Sequence, residues 1–489
     1  MKFRSLSGCI GALCALLLFA SLRAAGQTPT IEQSLSMPMV GSPRLSPDGR
    51  YVVYQQRSAD WEQNTYITQL WIAVCATGER YPLTSGKKSC SSPAWSPDSR
   101  RVTFLSSREG TPQLYLIAPT GGEACKLTNV ETGINDYHWS PNGKQIALTT
   151  EDAESQELKD EKEKSGDLKV FPPRFTMTHL WLLDVPTDIP DKPVVARRLT
   201  EGQKFTVGDF SWSPDSQRLA FSASQDPEFS SLDTQRIYVL NVADRSVQKL
   251  MDTKGPNDRP TWSPDGKEIA YVTANGQENY LYTNPCIAVV SAQGGVPTVF
   301  TDVFDEDPNL LAWTPDGIYF SAAQKTYAHL FRLNPQAKRV ERISMPTEII
   351  GGDFSFNHAG TQVAFTLADA KSASDIAISP ISGFAPRRLT NMTEQFLKFK
   401  IATREVISWR ASDGTPIEGI LYKPHDFEKG RKYPLFCILH GGPTDVDRAS
   451  IGSSAAFPIE QLVAKGALIL RVNYRGSAGY GAKFRALNV

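Results

Sequence analysis

Short stretches in which apolar residues alternate with polar ones recur along the chain from about residue 40 to about residue 395. The segments 218–222 and 268–272 are two of them, and 113–117 is a more apolar stretch later in its repeat. Alternation with a period of two is typical of a β-strand that has one buried face. The pattern therefore predicts many short strands and an all-β architecture for this part of the chain.

A five-residue phrase precedes the alternating strands and recurs at nearly regular intervals. Its Ser-Pro-Asp-Gly core has the residue preferences of a type I turn, and an aromatic residue or leucine stands before it. The copies begin at Leu45, Trp95, Trp139, Trp212, Trp262, Trp313 and, in a degenerate form, Phe354. Their Ser or Thr positions are 50, 44, 73, 50, 51 and 41 residues apart. Because four-stranded repeats of about forty to fifty residues are typical of β-propellers, the seven copies predict a seven-bladed propeller over residues 30–397.

The one long interval contains a strongly charged stretch, residues 151–169, with eight acidic residues and four lysines. Such a run is usually a solvated loop, and we predict a loop here. A flap that helps to bind or gate a ligand is the alternative. The apolar residues of the segment 170–175 predict that the far end of the stretch packs back onto the propeller.

The pattern changes near residue 400. Segments 405–410 and 417–424 are predicted strands, and the turn Ser412-Asp413-Gly414 joins them into a hairpin. Segments 433–439 and 467–472 are apolar throughout, as expected for parallel strands covered on both faces, and a helix that ends in glycine is predicted between them. A hairpin followed by a β-α-β unit predicts the first part of an α/β-hydrolase domain, at residues 403–489.

The first 26 residues have the features of a secretory signal. Lys2 and Arg4 supply a positive start, the run from Cys9 to Ala20 is apolar but too short to span a bilayer, and Ala24-Ala25-Gly26 supplies small residues at the spacing of a cleavage site. We predict a secreted or periplasmic protein with no stable membrane insertion once the signal is removed. An uncleaved anchor is the alternative.

The charge balance predicts no nucleic-acid partner. Removal of the signal takes away Lys2, Arg4 and Arg23, so the 52 basic residues become 49 against 52 acidic ones. No basic stripe emerges from this distribution, and a basic stripe is what nucleic-acid binding requires.

The cysteines predict neither a metal site nor a cofactor. Those outside the signal are spaced too widely for a zinc site or a C-x-x-C redox pair. An oxidising compartment would permit one disulfide among Cys75, Cys90 and Cys125, with no choice among the pairs. Cys437 stands in an apolar strand and is expected to be a buried thiol.

Two further motifs follow the propeller repeats. They are Leu439-His440-Gly441-Gly442-Pro443 and Asn473-Tyr474-Arg475-Gly476-Ser477-Ala478-Gly479-Tyr480-Gly481, and both come after the hairpin. Together with the repeats they resemble the prolyl oligopeptidase family of serine peptidases, most of all its secreted dipeptidyl-peptidase and acylaminoacyl-peptidase branch. The resemblance covers nearly everything after the signal. It implies a propeller that caps a hydrolase and admits only short or unfolded peptides, which a serine, oriented by a histidine and an aspartate, cleaves.

The resemblance gives roles only to residues in these two motifs. The turn at 440–443 resembles the oxyanion-side loop of the family, in which Gly441 and Gly442 would let a backbone N–H approach the developing negative charge; Gly442 is the first choice. A tight connection without a catalytic role is the alternative. His440 is expected to line the substrate pocket or to form local hydrogen bonds. Arg475 is expected to border the active site or to bind a substrate carbonyl, with a purely structural arginine as the alternative.

The nucleophile is not in this sequence. The 489 residues contain no G-x-S-x-G elbow, and in an α/β-hydrolase the acid and the histidine follow that elbow along the chain. The segment 452–456 has a superficially similar composition, but no buried strand precedes it. We therefore expect a sequence that is truncated before its catalytic serine, aspartate and histidine and that is inactive by itself.

The sequence leaves three functions open. The favoured one is a serine peptidase that acts on short peptides. The second is a propeller that binds peptides or an envelope partner without catalysis and carries a vestigial hydrolase segment. The third keeps the hydrolase and replaces the peptide by an ester. No adjacent Glu-Glu pair occurs in the chain, so exopeptidase and endopeptidase action stay open, as does the oligomeric state.

Overall fold

The computed structural model describes residues 26–166, 168, 174–188, 190–300, 303–442, 444–452 and 456–488. Except for Gly26, the predicted signal lies outside these residues, and so does Pro443. A short helix, α1 (Ile31–Leu35), stands near the start of the described chain. Thr30 caps it, because the Thr30 hydroxyl accepts the Gln33 N–H and the Gln33 side chain accepts the Thr30 N–H in return.

The next 28 strands of the described chain fall into seven successive units of four antiparallel strands, paired in chain order. Units 6 and 7 belong to one eight-stranded sheet, because β23 and β25 also pair in parallel at Ala328 and Ile350. Units 1 to 4 consist of β1 (Met39–Leu45), β2 (Tyr51–Asp60), β3 (Thr65–Val74), β4 (Arg80–Pro82), β5 (Cys90–Trp95), β6 (Val102–Ser106), β7 (Gln113–Ile117), β8 (Cys125–Lys126), β9 (Asp136–Trp139), β10 (Gln145–Glu151), β11 (Thr178–Asp184), β12 (Arg197–Arg198), β13 (Thr206–Trp212), β14 (Arg218–Ser224), β15 (Arg236–Asn241) and β16 (Val247–Lys249). Units 5 to 7 consist of β17 (Asn257–Trp262), β18 (Glu268–Thr273), β19 (Cys286–Ser291), β20 (Thr298–Phe300), β21 (Asn309–Thr314), β22 (Gly317–Gln324), β23 (Tyr327–Asn334), β24 (Arg339–Arg342), β25 (Ile350–Phe356), β26 (Gln362–Asp369), β27 (Ser372–Pro380) and β28 (Arg387–Arg388).

The recurrent phrase forms the turn between the first and second strands of a unit. In unit 5 the Gly266 N–H donates to the Ser263 carbonyl over 2.9 Å, and the Ser263 hydroxyl donates to the Asp265 carboxylate over 2.7 Å. The same hydroxyl oxygen accepts the Glu268 N–H over 3.0 Å. The phrase therefore closes a tight turn and fixes the start of the second strand. Equivalent bonds occur at Ser46, Ser96, Ser140 and Ser213.

The first strand of most units carries a bulge at the same place. The register between first and second strand shifts in units 1, 2, 4, 5, 6 and 7. Four residues at these shifts have a positive φ, namely Ser42, Ser92, Arg259 and Asp353. A bulge bends a strand and redirects its side chains. Here it turns polar side chains of the first strands towards a shared cavity.

The apolar faces of the units are buried against one another. Between units 4 and 5, for example, Ile237 and Val239 pack with Trp262, Ile269 and Tyr271. Units 1 and 7 also meet, through Tyr54, Ile376 and their neighbours. Their strands belong to different sheets, so side chains join them: the Leu45 N–H donates to Ser355 Oγ and the Ser42 N–H to Asp353 Oδ2, both over 3.1 Å.

The charged stretch in unit 3 contains a helix, α2 (Gln156–Ser165), so the prediction of a loop is wrong there. Ser155 caps the helix by accepting the Leu158 N–H over 3.2 Å, and the Leu158 side chain is buried. Glu, Lys and Gln are good helix formers, and the Gln156 amide reaches the Asp160 carboxylate one turn later. Residues 167 and 169–173 lie outside the described chain, and with them most of the segment predicted to pack back onto the propeller.

A separate mixed sheet begins at residue 403. Its strands are β29 (Thr403–Arg410), β30 (Pro416–Lys423), β31 (Leu435–Leu439) and β32 (Leu468–Asn473), in the spatial order β29-β30-β32-β31. The predicted hairpin is confirmed as β29 and β30, and the predicted parallel pair as β31 and β32. The predicted helix between the parallel strands is α3 (Ile459–Ala464), and a short helix, α4 (Ala482–Arg485), follows β32.

The expectation that both parallel strands are covered on both faces is wrong for β31. Leu435, Phe436 and Leu439 are 56%, 49% and 62% exposed, and Cys437 is exposed rather than buried. The reason lies in the sheet order: β31 is an edge strand, and among the described residues it pairs with β32 alone.

The permitted disulfide is not formed. Cys75, Cys90 and Cys125 carry free thiols. Cys75 packs where units 1 and 7 meet, whereas Cys90 packs between units 1 and 2. Burial raises the pKa of Cys75 to about 12 and also raises that of Cys125, so both thiols stay protonated at neutral pH.

Candidate active site

The two motifs that follow the hairpin meet at one edge of the mixed sheet. β31 and β32 are parallel, so their carboxyl ends lie side by side. The turn 440–442 follows β31, and the glycine-rich loop, residues 474–481, follows β32. The Ala478 N–H donates to the Thr444 carbonyl over 2.9 Å and thereby ties the loop to the turn. Two motifs that are separated by 29 residues in the sequence thus lie side by side.

His440 is held by the glycine-rich loop. Its Nε2 lies 2.9 Å from Ser477 Oγ, its Nδ1 lies 3.0 Å from the Gly441 carbonyl, and its ring stacks on Tyr474 with 4.5 Å between centroids. The Tyr474 hydroxyl donates to the His440 carbonyl over 2.7 Å. His440 therefore forms local hydrogen bonds, which was one of the two arrangements predicted. The sequence did not reveal Ser477 and Tyr474 as its partners.

Gly442 stands where only glycine fits without strain. Its φ is +124°, and a Cβ added to it would lie 2.9 Å from the Asp445 nitrogen and 3.0 Å from the Thr444 nitrogen. Such contacts and such a φ exclude a side chain. Gly441 has no atom within 4 Å of the place a Cβ would take, so the space beside it is open.

Arg475 points to the hairpin turn. It pairs with Asp413 over 2.7 Å, and its side chain is 39% exposed. The Thr415 N–H and then the Arg475 guanidinium, both hydrogen-bonded to Asp413, lower the pKa of that carboxyl to about 2. The pair therefore stays ionised at any ordinary pH. This geometry is that of a structural arginine at the border of the site, and contact with a substrate stays a prediction.

A buried polar group surrounds Asn473 at the end of β32. Asp447 pairs with Arg471, its N–H donates to Asn473 Oδ1 over 2.7 Å, and the Asn473 amide donates back to the Asp447 carbonyl over 3.1 Å. Burial raises the pKa of Asp447, although Arg471 opposes that effect. Sequence reasoning missed Asp447, because no motif or periodicity marks the loop that carries it.

The glycine-rich loop and α4 also contact the seven-unit part of the chain. The Ala482 N–H donates to Asp305 Oδ1 over 2.9 Å, and Arg485 Nη1 lies 2.9 Å from Asp307 Oδ2. Between unit 6 and the loop lies a cavity of about 770 Å³. Its lining includes Glu306, Lys325, Tyr327, His329, Glu418 and Tyr480.

A second cavity, of about 590 Å³, lies among the first strands of units 1 to 6. Charged side chains of both signs line it, among them Arg44, Asp136, Asp209 and Arg259. His138 faces Asp136 there over 3.1 Å and packs edge-on against Phe210. The bulges described above lie beside Arg44, Asp209 and Arg259, whereas Asp136 and His138 stand on β9, whose pairing with β10 has no register shift.

No group of three or more His, Cys, Asp or Glu side chains in the described chain is placed to hold a metal ion. Among the described helices, none is both long enough and apolar enough to cross a bilayer.

Comparisons with known proteins bear on both parts of the chain. Residues 26–179 match the TolB beta propeller domain family. The "uncharacterized peptidase YuxL" of Bacillus subtilis is 26% identical over 495 aligned positions, which cover 93% of this chain and 72% of that protein. Dipeptidyl-peptidase 5 of Porphyromonas gingivalis is 24% identical over 485 positions, covering 94% of this chain and 69% of that protein.

Solved structures show the same fold. The acylaminoacyl peptidase of Pyrococcus horikoshii superposes with a TM-score of 0.73 at 17% identity, over 95% of this chain and 69% of that one. Its match extends through the units and the mixed sheet alike. The resemblance to the prolyl oligopeptidase family is confirmed.

The repeats predicted a strand-rich chain with a propeller. That architecture is confirmed for this prolyl oligopeptidase-like chain. Its relatives are peptidases, which supports a hydrolase that acts on peptides. The blade count, the hydrolase domain and the residue roles at 440–442 and 475 stay predictions.

Proposed function

We propose that this chain supplies the propeller and the oxyanion side of a serine-type peptidase that cleaves short peptides. One observation carries the proposal: the turn His440-Gly441-Gly442 follows the third strand of the mixed sheet. In α/β-hydrolases, the loop after the third strand provides one of the two N–H groups of the oxyanion hole. The Gly442 conformation and the open space beside Gly441 support that use of the turn.

The proposed mechanism needs a nucleophile from outside these 489 residues. A serine on a G-x-S-x-G elbow attacks the peptide carbonyl, a histidine takes its proton, and an aspartate orients the histidine. The open edge of β31 is where the next parallel strand would pair and bring that elbow beside Gly441 and Gly442. The peptidase relatives, which are longer than this chain, are consistent with this arrangement.

The propeller in this proposal is a ring of seven blades over residues 30–397, joined to a hydrolase domain at 403–489. Units 1 and 7, the first and last of the ring, pack side by side, and no strand belongs to both of them. The ring faces the hydrolase and restricts entry to short peptides. The signal-like residues 1–26 support secretion or transfer to the periplasm. The substrates are short peptides.

A fluorophosphonate probe, which labels activated serines, tests the proposal. The probe is applied to the secreted or periplasmic fraction of the source cells, and labelled proteins are digested and identified by mass spectrometry. We expect a labelled polypeptide that contains peptides of residues 26–489 and a modified serine outside them, whereas the recombinant 489-residue chain stays unlabelled. A chain found only as an unlabelled polypeptide would instead support the non-catalytic binding module.

Activity assays of the same polypeptide, prepared without the probe, then separate peptide from ester cleavage. Gly442→Ala is expected to lower kcat by about 10²-fold or more, the typical cost of losing an oxyanion donor. Gly430→Ala is the matched control, because Gly430 also has a positive φ, +93°, but has no atom within 4 Å of its Cβ position. Equal losses in the two variants would show that backbone strain, rather than the oxyanion site, explains the effect.

A further inference from the structure

The glycine-rich loop lies between the predicted oxyanion-side turn and the propeller, and each end of it is fixed to one of them. At the end near the turn, Ser477 is fully buried and contacts His440, as described above. At the other end, the Lys325 N–H of unit 6 donates to the Gly479 carbonyl over 2.6 Å. The Gly481 N–H donates to Glu306 Oε2 over 3.3 Å.

Arg485 of α4 anchors this second end. Its side chain is only 9% exposed. It donates to the Asp307 carboxylate over 2.9 Å, to the Asn284 side-chain oxygen over 3.2 Å and to the Leu281 carbonyl over 3.3 Å. Leu281 and Asn284 lie in the connection between β18 and β19, and Asp307 lies in the connection between β20 and β21. One guanidinium therefore binds α4 to two separate connections of the propeller.

The contacts of the glycine-rich loop with α4 connect its two ends closely. The Gly476 N–H donates to the Phe484 carbonyl of α4 over 3.0 Å. Gly476 has a φ of +97°, and a Cβ there would lie 2.5 Å from Asn488. The Tyr480 ring lies 5.0 Å from Phe484, and the Tyr480 hydroxyl accepts the Asn473 amide over 3.0 Å. A displacement of α4 must therefore move the residue that precedes Ser477.

We propose that Arg485 is a positioning residue for the turn His440–Gly442 and acts through the glycine-rich loop. Its contacts with the propeller hold α4, α4 holds Gly476, and the adjacent Ser477 holds His440. The propeller thus sets the geometry of the turn as well as covering it. The consequence for catalysis rests on the function proposed above, whereas the mechanical coupling does not.

His440 itself reports on the coupling. A carbonyl oxygen only accepts hydrogen bonds, so the contact of Nδ1 with the Gly441 carbonyl places the proton of the neutral ring on Nδ1. Nε2 then accepts the Ser477 hydroxyl hydrogen. The chain has six histidines, so selective ¹⁵N-histidine labelling gives a spectrum in which His440→Gln identifies the signals of this ring.

The experiment compares the His440 ring signals in the 489-residue chain and its variants. We expect the Nδ1–H form in the unsubstituted chain and its loss in Ser477→Ala. Arg485→Met, which removes the three hydrogen bonds but keeps the aliphatic stem, is expected to shift the signals in the same direction. The double variant is expected to show no shift beyond that of Ser477→Ala, because both changes act on one contact. Arg485→Lys should restore part of the signal.

Arg332→Met is the matched control, because Arg332 pairs with Asp316 and Glu341 within unit 6, over 3.3 Å and 2.9 Å. It is expected to leave the His440 signals unchanged. Should Arg485→Met fail to fold, Asp307→Asn tests the same contact. His440 signals that respond to Ser477→Ala but not to Arg485→Met or Asp307→Asn would overturn the proposal, even if thermal stability falls.

Kinetic measurements on the polypeptide that the probe identifies, prepared without the probe, test the consequence for catalysis. Arg485→Met is expected to lower kcat by up to about 10²-fold, the cost of misplacing a reacting group by roughly 1 Å, with little change in KM. Loss of kcat without a change at His440 would contradict the positioning role. If no labelled polypeptide exists, the proposed function fails, and the NMR comparison still decides whether the propeller positions the turn.

Discussion

Glu306 shows how a single side chain can make the contact between the two parts of the chain sensitive to pH. It stands between Asp305 and Asp307 and accepts the Gly481 N–H from the glycine-rich loop. Burial raises its pKa to about 7, its acidic neighbours act in the same direction, and hydrogen bonds from the Gly481 and Gly479 N–H groups oppose the shift. The folded chain therefore binds a proton at this carboxyl more tightly than the unfolded chain does.

The stability that Glu306 contributes is expected to be full below pH 4.5 and lost as the pH rises through about 7. Glu306→Gln should therefore leave the free energy of unfolding nearly unchanged at pH 4 and raise it by about 1 kcal/mol at pH 8, a figure reduced for solvent screening. Urea unfolding at the two pH values measures this. Glu278→Gln, in the exposed turn after β18, is the control. A Glu306→Gln variant with the same pH profile as the unsubstituted chain would refute the expectation.

At the residue scale, the sequence predicts positions better than partners. It placed His440, Gly441 and Gly442 in a turn after a strand, because glycine and a buried apolar run are local signals. It did not pair His440 with Ser477 or Arg475 with Asp413, because those contacts depend on how β29, β31 and β32 are arranged. Cys437 was placed in the interior because it stands among apolar residues, and the edge position of its strand made that wrong.

Among the elements, the tryptophans of the repeated phrase have a role that their spacing alone does not show. Trp95 Nε1 donates to the Arg44 carbonyl over 2.8 Å, and Trp212 Nε1 to the His138 carbonyl over 3.0 Å. Trp262 Nε1 likewise donates to the Ser211 carbonyl over 3.2 Å. In each case the acceptor lies in the first strand of the preceding unit. The aromatic position of the phrase therefore joins neighbouring units as well as filling the core.

Trp212→Phe tests this joint. The ring stays apolar, but the His138 carbonyl loses its donor, so we expect the free energy of unfolding to fall by about 1 kcal/mol beyond the cost of the smaller ring. Trp212→Ala should cost about 3–5 kcal/mol, because it also leaves a cavity. Denaturant unfolding followed by circular dichroism measures both. Nearly equal losses in Trp212→Phe and Trp212→Ala would contradict the expectation. They would mean that the phenyl ring kept in Trp212→Phe contributes little packing energy.

The charged stretch shows where sequence reasoning about elements fails. Charge density predicted a loop, yet Ser155 before a run rich in Glu, Lys and Gln is also a helix start signal. The helix α2 forms because those residues have high helix propensity and Leu158 gives it one buried contact. Regular turns and strands were predicted well because their signals repeat along the chain, whereas an inserted element occurs once and has no second copy for comparison.

At the scale of the whole molecule, the repeats predicted the propeller architecture, but nothing in them predicted the contact between its units and the mixed sheet. That contact depends on Asp305, Asp307 and Arg485, which stand outside the motifs or at their end. Acidic residues in a connection are ordinarily solvated, so sequence alone gives them no role. The same limit applies to the exposed surface of β31, because the sheet order decides which apolar strand is covered.

That surface leads to a prediction about the isolated chain. Leu435, Phe436 and Leu439 are about half exposed or more on an edge strand, and an apolar edge strand tends to pair with another chain. The recombinant 489-residue chain should therefore self-associate, with a weight-average mass in sedimentation equilibrium that rises with concentration. Leu435→Lys should reduce the association, since a lysine on an edge strand opposes pairing.

Val296→Lys is the control for that comparison. Val296 is 96% exposed, but it lies in the connection between β19 and β20, away from any sheet edge. Its replacement should change the net charge by the same amount and leave the association unaltered. If both lysine variants dissociate the chain equally, general charge repulsion explains the result. If the unsubstituted chain is a monomer at every concentration, the edge of β31 does not pair between chains, and its apolar residues are tolerated in water.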